Sequence, residues 1–157
     1  MSDLSQEIYS LNYDNNLMDI NKDIVTHIIN KADFNEILET LTKEAQLRNY
    51  RVVKIVNVDR IKERVGLISK LNIGFQHYKI IEICNLMNCN EIVSSDLRAG
   101  VFMPIRLAVY QPKNKNEIHI SYFKPTAFVA LFKSTAMMKV AKQLESDLDD
   151  VAKAADF

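Results

Sequence analysis

Six residues in the middle of the chain carry groups that hold anions or move protons: Glu82, Cys84, Arg106, Tyr110, His119 and Ser121. They lie in three stretches that alternate apolar and polar residues. In an extended chain, residues two apart share a side. Glu82 and Cys84 therefore share a face with Ile80, Arg106 and Tyr110 share one with Ala108, and His119 shares one with Ser121. If the apolar faces of these strands look toward helices, the six residues converge on the opposite side of one sheet. The chemistry would be a ligand site, with arginine holding an anion and a cysteine or histidine available for acid–base work. The same residues also suit a solvated or dimer-facing sheet surface. A slip of one residue in register would scatter them.

Other groups are weaker candidates. Cys84 and Cys89 form a C-x4-C pair with His77 upstream, whereas zinc sites favour tighter, doubled pairs. Only His27, His77 and His119 could add imidazole ligands, so a buried inert thiol is the simpler identity for Cys84. Met103, Met137 and Met138 are candidate soft ligands, but at helical spacing methionine usually fills a core. Arg48, Arg51, Lys54, Arg60, Lys62, Arg64 and Lys70 form a local basic cluster against Asp59 and Glu63. It lacks interleaved aromatics and a glycine loop, which weighs against nucleic acid and favours a solvated face. With only Gly66, Gly74 and Gly100 in the chain, no dinucleotide fingerprint, P-loop or nucleophile elbow can be assembled.

The elements that must position these groups are legible in outline. Ile24 to Ile29 is β-branched and reads as a strand. Asp33 caps a helix, with Glu36 three positions on and a stripe of Phe34, Ile37, Leu38, Leu41 and Ala45. Val52–Val58 is a second strand. Asp59–Leu71 reads as a short, imperfect helix, and Tyr78–Cys84 as a third strand. Asn88 and Glu91 predict a capped short helix ending near Gly100. Val101–Gln111 alternates as a strand, with Pro104 arguing for an edge position or a bulge. Residues 113–116 turn the chain into a return strand, Glu117–Phe123. Thr126, after Pro125, opens one long helix carrying Phe128, Leu131, Phe132, Met137, Val140, Ala141, Leu144, Leu148 and Val151. The order predicts an α+β fold: a single, mostly antiparallel sheet with a long C-terminal helix packed on one face.

The chain has 157 residues, 48% of them hydrophobic and 25% charged, which is one domain's worth of ordinary globular composition. Lysine and arginine balance aspartate and glutamate, so no net field draws it to nucleic acid or anionic lipid. Residues 1–22 read as a flexible, acidic, asparagine-rich arm and residues 23–157 as a single domain. No run of apolar residues is long enough to span a membrane. The opening residues do not resemble a secretory leader, and the two cysteines make a poor disulfide framework, so a cytoplasmic protein is expected.

The stretch from Tyr78 to Pro125 is the most diagnostic. It reads YKIIEICN, then a short helix, then LRAGVFMPIRLAVYQ, then a hairpin and a strand ending in FKPTAF. This resembles domain of unknown function family 302, through Glu82, Cys84, Asn85, Gly100, Pro104, Val109, Tyr110 and Pro125. The likeness extends over roughly residues 24–150. It implies a TATA-binding-protein-like, helix-grip fold with strand order β-α-β-β-β-β-α, and it implies no activity. The chain departs from the family pattern at Leu86, where a proline is usual, and at Ile105, where a cysteine is usual. A family activity using a cysteine pair would find only the Cys84 half.

Three functions remain in contention. The first is a non-catalytic module holding a small apolar or anionic ligand between the sheet and the C-terminal helix, motivated by Phe128, Leu131, Phe132, Met137 and Met138. The second is a homodimeric interaction or structural protein, paired through the polar sheet face or an edge strand. The third is a thiol- or metal-dependent redox protein using Cys84. The residues favour binding over catalysis and leave the cofactor unknown.

Overall fold

The computed structural model describes residues 18–30, 33–64 and 71–157. Five strands form one antiparallel sheet in the order β1-β5-β4-β3-β2: β1 (Ile24–Asn30), β2 (Arg51–Asn57), β3 (Phe75–Cys84), β4 (Ile105–Pro112) and β5 (Glu117–Phe123). The helices are α1 (Ile20–Asp23), α2 (Phe34–Leu47), α3 (Leu86–Ser95), α4 (Pro125–Ala130) and α5 (Thr135–Ala154). Two 3-10 turns, Val58–Glu63 and Leu97–Phe102, complete the described elements. The α+β class and the single antiparallel sheet are as the sequence predicts. The arm expected over residues 1–22 lies outside the described residues as far as Tyr13 and on to position 17.

One face of the sheet is sealed. Ile81 and Ile83 of β3, Ile105, Leu107 and Val109 of β4, and Ile118 and Ile120 of β5 are almost entirely buried. They meet Ile37, Leu41 and Ala45 of α2 and Met137, Ala141, Leu144, Leu148 and Val151 of α5. Each fully buried Leu or Ile contributes about 1.5–3 kcal/mol. α2 starts where Asp33 accepts a hydrogen bond from the Glu36 amide at 2.9 Å, as the cap motif predicts. Tyr50, at the start of β2, donates its hydroxyl to Asp147 Oδ2 of α5 at 2.7 Å. Burial and that carboxylate push the Tyr50 hydroxyl pKa far up, so it stays protonated and remains a donor.

Several local expectations are corrected. The helix after β3 begins at Leu86, because Asn85 accepts from the Met87 and Asn88 amides; Asn88 lies inside it. That helix stops at Ser95, and Gly100 belongs to the following 3-10 turn. β4 begins at Ile105 rather than Val101, and Val101 is exposed. Pro104 precedes the first ladder residue, so its missing N–H costs nothing even though β4 is an inner strand and not an edge. The imperfect helix after β2 is a 3-10 turn ending at Glu63, and residues 65–70 lie outside the description.

The long C-terminal helix is two helices. α4 ends at Ala130, Lys133 takes a left-handed φ of 53°, and Ser134 caps α5 by accepting from the Met137 amide at 3.2 Å. A residue with positive φ breaks the helical ladder, and the serine starts a new one. Leu131 falls in the break and is 58% exposed, so it does not join the core. Leu144→Ala is therefore expected to cost about 2–5 kcal/mol, and Leu131→Ala to stay within about 0.5 kcal/mol of wild type. Urea denaturation measures both, and equal losses would contradict the break.

Candidate functional site

The other face of the sheet is built in cross-strand rows. Register pairs Thr26 with Ser121, Ser121 with Ala108, Ala108 with Ile80, and Ile80 with Val56. The next row runs Ile28, His119, Tyr110, Tyr78. On the other side of the first row, Arg106 pairs with Glu82 and Glu82 with Lys54, while Cys84 pairs with Arg51. All six residues singled out in the sequence therefore lie on one face, opposite the sealed core.

They are not one cluster. Ser121 sits at the centre of a hydroxyl chain, 2.8 Å from Thr26 Oγ1 and 2.9 Å from the Tyr110 hydroxyl. The Tyr110 ring stacks on Tyr78, with centroids 5.1 Å apart and planes 10° from parallel. Burial and the neighbouring Tyr110 raise the Tyr78 pKa. The His119 ring lies against Tyr110, with centroids 5.2 Å apart, and its Nε2 is 2.8 Å from Glu117 Oε1. That bond holds the Glu117 carboxyl below its ordinary pKa. Arg106 Nε points at Glu82 Oε1 across a long 3.4 Å contact. Cys84 lies at the strand end beside the Cys89 thiol, and burial together with that thiol pushes its pKa up to about 11.

A cavity of about 620 Å³ opens on this face, within the usual range for small-molecule sites. Arg106, Tyr110 and Ser121 line it; Glu82, Cys84 and His119 do not. Its floor is the row of Thr26, Ser121, Ala108 and Ile80, and its walls include Phe102, Phe123 and Phe128. Phe102 stacks on Phe128 with centroids 4.9 Å apart. The expected pocket between the sheet and the long helix is displaced: that interface is filled by the core, and the cavity opens on the opposite face, where Ile105 and Tyr122 of the core and Phe128 of α4 also reach its lining.

The wall is held by local chemistry. Asp96 caps the 3-10 turn through the Arg98 amide at 3.0 Å and pairs with the Arg98 guanidinium at 2.7 Å. That hydrogen bonding takes the Asp96 pKa down to about 2. The turn places Val101 and Phe102 over the sheet. On the far rim, α1 brings up Ile20 and is tied to the end of β5 by the Lys124 amide donating to the Asp23 carbonyl at 2.9 Å. Sequence reasoning missed these wall residues because Val101 and Phe102 read as strand and Ile20 as arm. The aromatic content of Phe102, Phe123 and Phe128 was the available signal.

The sequence pattern of the family described as "Domain of unknown function DUF302" matches residues 25–155. The chain belongs to this family. A DUF302 crystal structure from Bacillus stearothermophilus, titled as an uncharacterized conserved protein, is similar with a TM-score of 0.72 and 22% identity, over 85% of this chain and 98% of that one. This likeness concerns the fold. No curated protein matches the chain. The DUF302 positions of this chain are divided between the faces: Tyr110 lines the cavity, Val109 is in the sealed core, and Asn85 caps α3.

No group of three metal-ligating side chains occurs among the described residues, and no described helix is long and apolar enough to cross a membrane. Three members of the basic cluster have partners. Arg48 bonds Glu44, Arg60 contacts Glu63, and the Lys62 ammonium reaches the Gln76 carbonyl. With its pKa raised, Cys84 is a thiol at neutral pH, whereas the thiolate is the nucleophile. Iodoacetamide is expected to alkylate Cys84 far more slowly than free cysteine at pH 7.5, the rate climbing as the pH approaches 11. Peptide mapping of modified protein checks this, and rapid labelling at neutral pH would contradict it.

Proposed function

We propose that this protein is a non-catalytic module that binds a small, largely apolar ligand on the open face of its sheet. The observation that carries the reading is the cavity itself: about 620 Å³, with aromatic walls and a floor in which Ala108 and Ile80 continue from a hydroxyl chain hydrogen-bonded within itself. Because Thr26, Ser121 and Tyr110 are hydrogen-bonded in one chain, each already has a partner, and an apolar body that covers them leaves a single O–H, at one end of that chain, without an acceptor among the described residues. Neither the protonated Cys84 nor the Glu117-bound His119 lines the cavity, which supports binding over acid–base or thiol chemistry.

Ala108 is the point of greatest leverage, since it sits in the floor between Ile80 and Ser121 and has no bulk of its own. The neutral fluorophore N-phenyl-1-naphthylamine is expected to bind with a rise in fluorescence. Ala108→Leu is expected to abolish most of that rise while the thermal unfolding transition persists. Absence of binding to the unmodified protein, or equal binding by the variant, would remove the reading.

A homodimer is the second reading. It is supported by the edge strand β1, which leaves Ile24 and Ile28 exposed on the open face, Ile28 to 50%. An edge strand with exposed apolar side chains is a template for pairing. By contrast, the β2 edge carries a bulge between Val52 and Lys54, an irregularity that discourages pairing. Sedimentation velocity is expected to show a dimer that Ile28→Lys dissociates. A monomer at every concentration would dispose of this reading and leave the first untouched.

A further inference from the structure

Among the described residues, the open-face cavity has one charged lining residue, Arg106. Its side chain is half exposed, at 52%. Nε faces Glu82, but the two terminal nitrogens have no hydrogen-bond partner among the described residues. An arginine that keeps its terminal pair free presents a planar fork matched to the two oxygens of a carboxylate. Next to that fork lies the apolar part of the cavity, from Ile80 and Ala108 to Phe102, Phe123 and Phe128.

We infer that the ligand is an amphipathic monocarboxylate whose carboxylate takes the Nη edge of Arg106 and whose apolar body lies along Ala108 toward the phenylalanine wall. This rests on the reading of the cavity as a ligand site and names the class it takes. A phosphate monoester fits less well. It carries up to two charges and needs more donors than one fork supplies, and among the described residues no second cation lines the cavity. Glu82 reinforces the choice of a single charge. It holds Nε from the side, which aims the fork, and its own carboxylate repels an incoming anion. Glu82 is thus a positioning and selectivity residue that stands outside the cavity lining. A glutamine there keeps an oxygen for Nε and removes the repulsion.

The test is isothermal titration with octanoate, with 1-octanol as the neutral analogue of equal tail length and octyl phosphate as the dianionic one. Octanoate is expected to bind more tightly than either. Arg106→Gln is expected to weaken octanoate about tenfold and leave octanol unchanged. Arg106→Lys, which keeps the charge without the fork, is expected to fall between. Glu82→Gln is expected to tighten octanoate about threefold with octanol again unchanged, a gain that a variant damaged in folding would not give. If octanoate and octanol bind equally, if Arg106→Gln leaves octanoate unchanged, or if octyl phosphate binds best, the monocarboxylate assignment is overturned while the cavity reading stands on the naphthylamine result. If octanoate, octanol and the naphthylamine all fail to bind, the cavity reading and this inference fall together.

Discussion

The two-residue period of the extended chain is the constraint on which everything else in this molecule rests. Five antiparallel strands in register turn that period into two faces that differ in chemistry. On one, Ile81, Ile83, Leu107, Val109, Ile118 and Ile120 form a continuous β-branched and leucine layer with almost no exposure. Two amphipathic helices, α2 and α5, close over it. The helices are used up on that side, so the reverse face is left to whatever the alternate positions carry. Tyr50 and Asp147 fasten one closing helix to the sheet edge at the start of β2, and they do so across a hydrogen bond whose donor stays protonated.

The open face gains depth only through its borders. A bare antiparallel sheet is a shallow surface. Here the 3-10 turn at Leu97–Phe102 rises on one side and α1 on the other. Both are short and neither has a core of its own. Each is fixed by backbone groups and aspartates: Asp96 at the turn, and at α1 both Asp19, which accepts from the Asn21 amide, and Asp23, whose side chain accepts from the Asp19 amide at 2.9 Å. The aromatic residues between them, Phe102, Phe123 and Phe128, come from three separate elements, and they meet only because β4, β5 and α4 follow one another closely around the end of the sheet.

Legibility in the sequence followed the range of the interaction responsible. The Asp33 cap was legible because its partner amide is three residues away. So were the hairpin at residues 113–116, where Asn114 takes a positive φ, and the common face of Glu82, Arg106 and His119. The cap of α3 was misread because Asn88 has Glu91 three positions on and Asn85 has no such partner, yet the Asn85 side chain is the one that accepts from the Met87 and Asn88 amides. Pro104 was read as an edge signal because its position relative to the first ladder bond is invisible in one dimension. Leu131 keeps the helical spacing of its neighbours, and nothing in that spacing reports the turn at Lys133 that carries it into solvent. Family membership was legible over the same stretch for a related reason: Glu82, Cys84, Asn85, Gly100 and Pro104 form a compact pattern around one strand–helix–strand passage.

Alternation and capping, both local properties, were enough to determine where the strands lie, the start of α2, and the sheet face that Glu82, Arg106 and His119 share. Tertiary structure alone decided which of those groups meet. Strand order put Thr26, ninety-five positions from Ser121, within a hydrogen bond of it, while His119, two residues from Ser121, packs its ring against Tyr110 and bonds Glu117. Side-chain direction along a strand is set by the backbone of that strand. Contact between strands depends on pairing, registry and the bulk at the borders, which are long-range and carry no mark in any single segment of the chain.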